Sequence, residues 1–407
     1  MKILVIGGGG REHALVWKLA QSRHATKIFC APGNPGISEL AECVPLAVTD
    51  ITKLAAFAAE QKIDLTVVGP EVVLCAGIAD VFQAKQLRIF GPTKAAAQLE
   101  GSKVFSKQFL LKHNVPTAAA GIFDKPADAR AYVRNHGVPI VVKADGLAAG
   151  KGVIVAQSVA EAEQAITDIM EKRAFGEAGR QVVIEECLTG EEVSVMALVS
   201  DDTVKILAPA QDHKRVGDGD TGLNTGGMGA YSPVGLTVDA AEIFIRTLAG
   251  LKADGINYRG VLYAGLMLTP TGVKVLEFNC RFGDPETQAV VPRMDFDLVE
   301  ACIATADGTL DRFELKWKPG AAVCVVLTAG GYPGDYESGR VIAGLPAAGK
   351  LANVTVFHAG TKFQDGQVVT AGGRVLGVTG SGSDIAGATR RAYEGVKWIQ
   401  FAGAPAN

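Results

Sequence analysis

Residues 2–13 read Lys2-Ile3-Leu4-Val5-Ile6-Gly7-Gly8-Gly9-Gly10-Arg11-Glu12-His13. Four apolar residues run straight into four glycines, and a helical stretch from about Arg11 to Ala20 follows. A short apolar run closed by a turn signal reads as a buried strand, and strand–turn–helix opens a parallel α/β unit. The pattern recurs: Lys27–Cys30, Asp64–Val68 and Arg88–Phe90 are short apolar strands, with helical segments such as Lys53–Gln61 between them. This alternation predicts an open parallel sheet up to Pro92, and Gly91-Pro92 marks a boundary.

Further along, strands are expected at Ile140–Lys143, Val153–Ala156 and Val182–Glu186, with a helix over 159–172. From about 190 to 312 the pattern is mixed, with strands at Val193–Val199, Leu262–Leu268 and Val273–Phe278. A third region carries strands at Val323–Leu327, Val354–Phe357 and Arg374–Thr379 and a helix at Asp384–Ile399. No internal repeat or low-complexity linker separates the regions, so packed modules are expected. The fold class is α/β and α+β, multidomain.

Composition agrees. The chain has 407 residues, 48% of them hydrophobic, with formal net charge −3. That length suggests two to four domains. Mixed charge with abundant apolar residues argues against disorder, and the missing basic excess argues against nucleic-acid binding. Glycine is high, 49 of 407, without a Gly-X-Y period. The first apolar run is too short for a signal peptide, and no stretch of 18 apolar residues suggests a membrane span. The seven cysteines form no C-x-x-C. They read as free thiols of a cytoplasmic protein, and the scattered histidines leave a His/Cys metal site only to long-range convergence.

Three glycine clusters follow the elements. At Gly7–Gly10 the backbone amides of a strand–helix turn can face an anion. The G-x-G-x-x-G fingerprint fails there, because Glu12 or His13 occupies its third position. A nicotinamide cofactor is therefore disfavoured, while another anion and an unliganded turn both stay open. The second cluster, Lys143-Ala144-Asp145-Gly146-Leu147-Ala148-Ala149-Gly150-Lys151-Gly152-Val153, lacks Walker A spacing and its Ser/Thr. Strands on both sides make it a hairpin that could fold over a triphosphate, with Lys151 above and Lys143 below, or an ordinary mobile hairpin. The third, Gly217–Gly229, mixes six glycines with both signs of charge and does not fit an EF-hand. It is either a functional loop or a flexible surface loop.

Period-two alternation puts Glu277 and Asn279 on one strand face, about 7 Å apart. Two hard oxygen donors so placed suit Mg²⁺, with Arg281 close enough to steady phosphoryl oxygens. A structural Glu–Arg pair is the competing reading. At Val183–Glu192, which holds Glu185, Glu186, Glu191 and Glu192, exposed backbone at a hinge could read an adenine edge and a carboxylate just beyond could hold ribose hydroxyls, or the acids could be a solvated face.

Taken together, ten blocks resemble the glycinamide ribonucleotide synthetase family (phosphoribosylamine–glycine ligases) of ATP-grasp enzymes. They are GGGGREHAL (7–15), VVGPE (67–71), GPTKAAAQLEGSK (91–103), VVKADGLAAGKGV (141–153) and IEECLTGEEVS (184–194). Then come QDHKRVGDGDTG (211–222), NTGGMGAYSP (224–233), LYAGLM (262–267), LEFNCRFGDPETQ (276–288) and GYPGDY (331–336). They span almost the whole chain in the family's order.

The resemblance implies a parallel α/β domain over 1–103, an ATP-grasp domain over 104–312 with a lid at about 118–188, and a C-terminal domain over 320–407. It implies ATP between two sheets. Lys103 and Lys143 would contact phosphates, and Gly146, Gly150, Lys151 and Gly152 would bind ATP as part of the lid. Glu185, Glu186 and Leu188 would lie at the adenine edge, with Glu191 or Glu192 at the ribose. Glu277 and Asn279 would carry Mg²⁺ or Mn²⁺. Arg281, Asp212, Lys214 and Asp284 would surround the reacting carboxylate. Gly9, Gly10, Glu71, Asn224, Thr225 and Gly226 would bind substrate.

The implied reaction joins glycine to phosphoribosylamine through glycyl phosphate, with ADP and phosphate released. It has no membrane or nucleic-acid partner. A monomer is expected, with a dimer as the second reading. Another ATP-grasp carboxylate–amine ligase and a non-catalytic nucleotide sensor are the alternatives. The chain departs from the family pattern at Val72-Val73, at Leu223, in a shortened 234–260 segment and in lacking the basic tail.

Overall fold

The structure, a computed structural model, describes residues 1–147 and 152–404. Its first sheet is wholly parallel, in the order Glu42–Cys43, Lys27–Pro32, Lys2–Gly7, Leu65–Val68, Ile89–Phe90. The two central strands are apolar and buried, as strands covered on both faces must be. The strand order reverses between Lys2–Gly7 and Leu65–Val68. A crevice beyond the carboxyl ends of the strands at such a point is where open α/β sheets bind ligands. The chain exits there through Gly8–Gly10 on one side and Gly69–Glu71 on the other. Gly8 has to be glycine, because a Cβ on it would lie 2.5 Å from the carbonyl oxygen of Gly33.

A four-stranded antiparallel sheet follows, ordered Ala120–Phe123, Val182–Glu186, Ile140–Ala144, Val153–Ala156. It packs on the helices Pro126–His136 and Val159–Ile166 around its own apolar core. The α-helix expected over 159–172 stops at Ile166 and gives way to a wider π-turn at Thr167–Glu171. At that junction Thr167 Oγ1 donates back to Glu163 O at 2.9 Å.

The next antiparallel sheet runs Thr203–Ile206, Glu191–Ser200, Arg259–Thr269, Gly272–Asn279. Its long strand is buried on both faces. Val193, Val195, Ala197 and Val199 share a core with Leu4 and Ile6, while Met196 and Leu198 share another with Ile3 and Val5. The N-terminal and central sheets are thus fused through two apolar cores.

The last sheet runs Gln211–Asp212, Gly229–Ser232, Ala321–Thr328, Arg374–Gly382, Val354–His358. Two of its strands come from before residue 233. The C-terminal region therefore completes a sheet begun earlier, and it presses His13 and Trp17 against Phe357. No helix among the described residues is long and apolar enough to cross a membrane.

Candidate active site

The strand Gly272–Asn279 ends where the three sheets meet. It carries Glu277 and Asn279 on one face, as alternation requires. Across the ladder Glu277 pairs with Gly265, so the neighbouring strand offers no third side-chain ligand at that level. Burial opposes the charge on Glu277, but Lys214, Lys143, Lys103 and Arg281 together hold its carboxyl below the ordinary glutamate range. The group therefore stays ionised among four cations.

Each of those cations is held from a different element. Lys103 begins the helix Lys103–Lys112, which Ser102 caps by accepting from Phe105 N at 3.0 Å. Its Nζ donates to Gly146 O at 3.0 Å, and burial lowers its pKa. Asp145 ties the same junction by accepting from Ser102 Oγ, Val104 N and Gly146 N. Lys143 lies on Ile140–Ala144 and reaches across to Leu276 O at 3.1 Å. The hairpin expected after it is present, with Ile140–Ala144 and Val153–Ala156 antiparallel and Gly152 O accepting from Ala144 N. Gly150 and Lys151 lie outside the described residues.

Glu185 is 3% exposed, and its carboxylate bridges Lys143 at 2.8 Å and Lys107 at 3.1 Å. Its side chain serves the lysines instead of pointing outward. Glu186 accepts from Ala119 N and pairs with Lys274, each at 3.0 Å. Leu188 is half-buried in the segment joining the two sheets. Glu192 pairs with Lys214, while Glu191 is exposed.

Arg281 follows the strand. It meets Glu71 at 3.2 Å, Glu100 at 3.0 Å and Asn279 Oδ1 at 3.4 Å. Its charge is reinforced by Glu100 and Glu71 despite burial. Glu100 is itself pushed up to about 6, chiefly by burial, and also accepts from Cys280 N at 2.7 Å. Arg11 adds a contact to Glu71 at 3.8 Å, and its partner Glu12 accepts from Gly9 N at 2.7 Å. The nucleotide side and the N-terminal crevice are thus linked by one chain of charges.

On the far side Asp212 is pushed up to about 7 by burial and by Glu286, with Lys214 opposing. Glu286 is buried and accepts from Ser194 Oγ at 3.0 Å and Tyr263 OH at 2.9 Å. Asp284 meets Arg374 at 3.4 Å and accepts from Gln288 Nε2 at 2.8 Å. Burial works against its charge, yet Arg374 and Arg11 hold its pKa down. Thr225 donates to Lys214 O, and Gly226 N donates to Tyr332 OH at 2.9 Å. Asn224 is exposed at the end of the hairpin Arg215–Gly217/Thr221–Asn224.

Glu100, Lys107, Glu286, Gln288 and Arg374 were not singled out from sequence. Glu100, Glu286 and Gln288 lie inside quoted blocks, and Arg374 carries no local signal at all.

The N, ATP-grasp (A) and C domains of phosphoribosylglycinamide synthetase match residues 1–100, 101–287 and 322–406. The chain belongs to this family. Its enzyme class is that of an ATP-dependent ligase of purine biosynthesis. It is 54% identical to phosphoribosylamine–glycine ligase of Vibrio vulnificus, over 99% of this chain and 96% of that one. It is also 54% identical to the enzyme of that name from Escherichia coli O6:H1, over 97% and 94%. A crystal structure of phosphoribosylamine–glycine ligase from Thermotoga maritima superposes with TM-score 0.86 at 34% identity, covering 99% of this chain and 98% of that one. A biotin carboxylase domain from Hydrogenobacter thermophilus, solved with MgADP, shares the fold at TM-score 0.77 and 16% identity, over 99% and 91%. ATP use follows from the family.

Proposed function

We propose that the chain joins glycine to 5-phosphoribosylamine, with ATP converted to ADP and phosphate. The observation that carries this is the ionised Glu277 and neighbouring Asn279 at the meeting of three sheets, set among Lys103, Lys143, Lys214 and Arg281. A carboxylate is a poor acyl donor, because its leaving group would be oxide. Transfer of the γ-phosphoryl group to the glycine carboxylate gives glycyl phosphate, whose leaving group is phosphate. The amine then attacks the acyl carbon, the amide forms, and one proton is lost from nitrogen.

The residues divide this work. Lys103 and Lys143 neutralise phosphate charge, and Arg281 does so at the acyl phosphate. The exposed Glu191 is better free to hold ribose hydroxyls than Glu192, which already pairs with Lys214. Asp212, pushed up to about 7 by burial and by Glu286, is suited to take the proton from the attacking amine. Glu277 and Asn279 offer two oxygen donors, which fits Mg²⁺ or Mn²⁺ completing its shell with phosphate oxygens. Such an ion would draw charge off the phosphates when bound.

The hairpin sheet over about 118–188, with its own core, would act as the lid of an ATP-grasp unit over 104–312. Segments 1–103 and 320–407 would flank it. The seven cysteines are all free thiols, which suits a cytoplasmic setting.

The test is ADP release that depends on both glycine and phosphoribosylamine. Turnover with a different carboxylate would point to another ligase, and tight ATP binding without turnover on any carboxylate would point to a sensor. Glu277→Ala should lower turnover at least about 100-fold, with the circular-dichroism spectrum unchanged. Wild-type turnover in that variant would remove the metal assignment.

A further inference from the structure

Two guanidiniums lie side by side at the strand end that carries Asn279, and they share two acceptors. Nη1 of Arg11 and Nη1 of Arg281 each donate to Phe282 O at 3.3 Å. Oε2 of Glu71 meets Arg281 Nε at 3.2 Å and Arg11 Nη1 at 3.8 Å. Like charges this close repel, so each needs a counter-charge of its own. Glu100 supplies it for Arg281 at 3.0 Å, and Glu12 for Arg11 at 2.5 Å. Burial opposes the charge on Glu71 between them, yet Arg281 and Arg11 hold its carboxyl below the ordinary glutamate range.

Glu12 is fixed more firmly than an ion pair alone requires. It is 3% exposed, and its Oε2 accepts from the amide of Gly9, the N-cap of the helix Gly10–Leu19, at 2.7 Å. A carboxylate in that first turn also faces the positive end of the helix. Two glycines make room for it. A Cβ on Gly7 would lie 2.5 Å from Glu12 Cγ, and one on Gly69 would collide with Oε1. The carboxylate therefore has a single seat, from which Oε1 takes Arg11 Nε. Arg11 is held back by that contact, and Glu71 lies closer to Arg281 than to Arg11, 3.2 Å against 3.8 Å.

We propose that Glu12 is a positioning residue for Arg281: it restrains Arg11 and so leaves Glu71 to Arg281. Without the Glu12 charge, Arg11 closes on Glu71, the nearest other carboxylate. Arg281 then keeps Glu100 alone and loses one of the two carboxylates that aim its guanidinium. The role rests on the ligase reading above, in which Arg281 neutralises the acyl phosphate. Glu12 acts only through Arg11 and Glu71.

The test is kinetic and structural, on the full chain. Glu12→Gln fills the same seat without the charge. It should lower kcat at least about tenfold and leave KM for ATP within about twofold. Adding Arg11→Met to Glu12→Gln removes the competitor for Glu71, and should restore kcat at least about threefold over Glu12→Gln alone. A merely structural role for Glu12 would make the double variant slower still. Glu12→Asp keeps the charge one methylene short of Arg11 and should lose less, and it carries the same test should Glu12→Gln fail to fold. A crystal structure of Glu12→Gln should place Arg11 closer to Glu71 than Arg281 is. Wild-type kcat in Glu12→Gln would overturn the proposal. So would a double variant no faster than Glu12→Gln, or the wild-type order of the two distances to Glu71. Absence of glycine-dependent ADP release in the wild type would instead overturn the ligase reading, and the crystal structure would remain a separate measurement.

Discussion

A Cβ at Gly8 would sit 2.5 Å from a backbone oxygen, whereas one at Gly219 would meet nothing within 4 Å. The two glycine-rich segments look alike in composition, but the fold uses them differently. The turn at 7–10 is packed against Gly33 and leads into Arg11, Glu12 and His13, all buried. The hairpin at 215–224 stands in solvent, with Leu223 66% exposed. At the first, glycine is required by what lies next to it. At the second it is required by the backbone, since Gly219 has φ +68° in the left-handed region. Glycine density alone therefore says where chain approaches or turns closely, and the neighbours decide which.

The largest expected effect falls on the packed turn. Gly8→Ala should destabilise the protein by about 3 kcal/mol, because a carbonyl cannot swing aside as a side chain can. A wild-type urea midpoint would show that the turn has room.

Next comes His13, in the same segment. Burial and His358 depress its pKa from 6.5 to about 3. Its Nδ1 accepts from His358 N at 2.8 Å, so the neutral ring holds the contact to the C-terminal sheet. Because the folded pKa lies below the unfolded one, its contribution is complete above about pH 6.5 and is lost as pH falls toward 3. Roughly 2 kcal/mol should disappear by pH 5. Unfolding curves at pH 7 and pH 5 test this, and His13→Gln should reduce the difference without removing it, because burial also depresses His358 to about 4. An unchanged slope in that variant would assign the acid sensitivity elsewhere.

The smallest effect belongs to the hairpin. Gly219→Ala should cost about 1 kcal/mol from left-handed backbone alone, with turnover unchanged. A loss as large as that of Gly8→Ala would erase the contrast between the two segments.

Much of this was legible in the residues. The strand at 2–7 and the parallel alternation follow from apolar runs and turns. The shared face of Glu277 and Asn279 follows from period two, and the hairpin after Lys143 from its flanking strands. Less legible was who pairs with whom. Glu185 reads as part of an acidic run, yet it is buried between Lys107 and Lys143. Glu100 reads as a helix residue, yet it braces Arg281 and the Cys280 amide 180 residues away. The π-turn at 167–171 broke a helix that periodicity alone continued.

The sequence by itself determined the element types, the glycine turns and the chemistry-bearing strand, because each depends on neighbours a few residues apart. Only the tertiary structure decided which charges neutralise each other and that the C-terminal sheet borrows strands from 211–232. It alone brought Arg374 to Asp284. Those outcomes turn on burial and on distances of 2.8–3.4 Å between residues tens of positions apart, which no local pattern encodes.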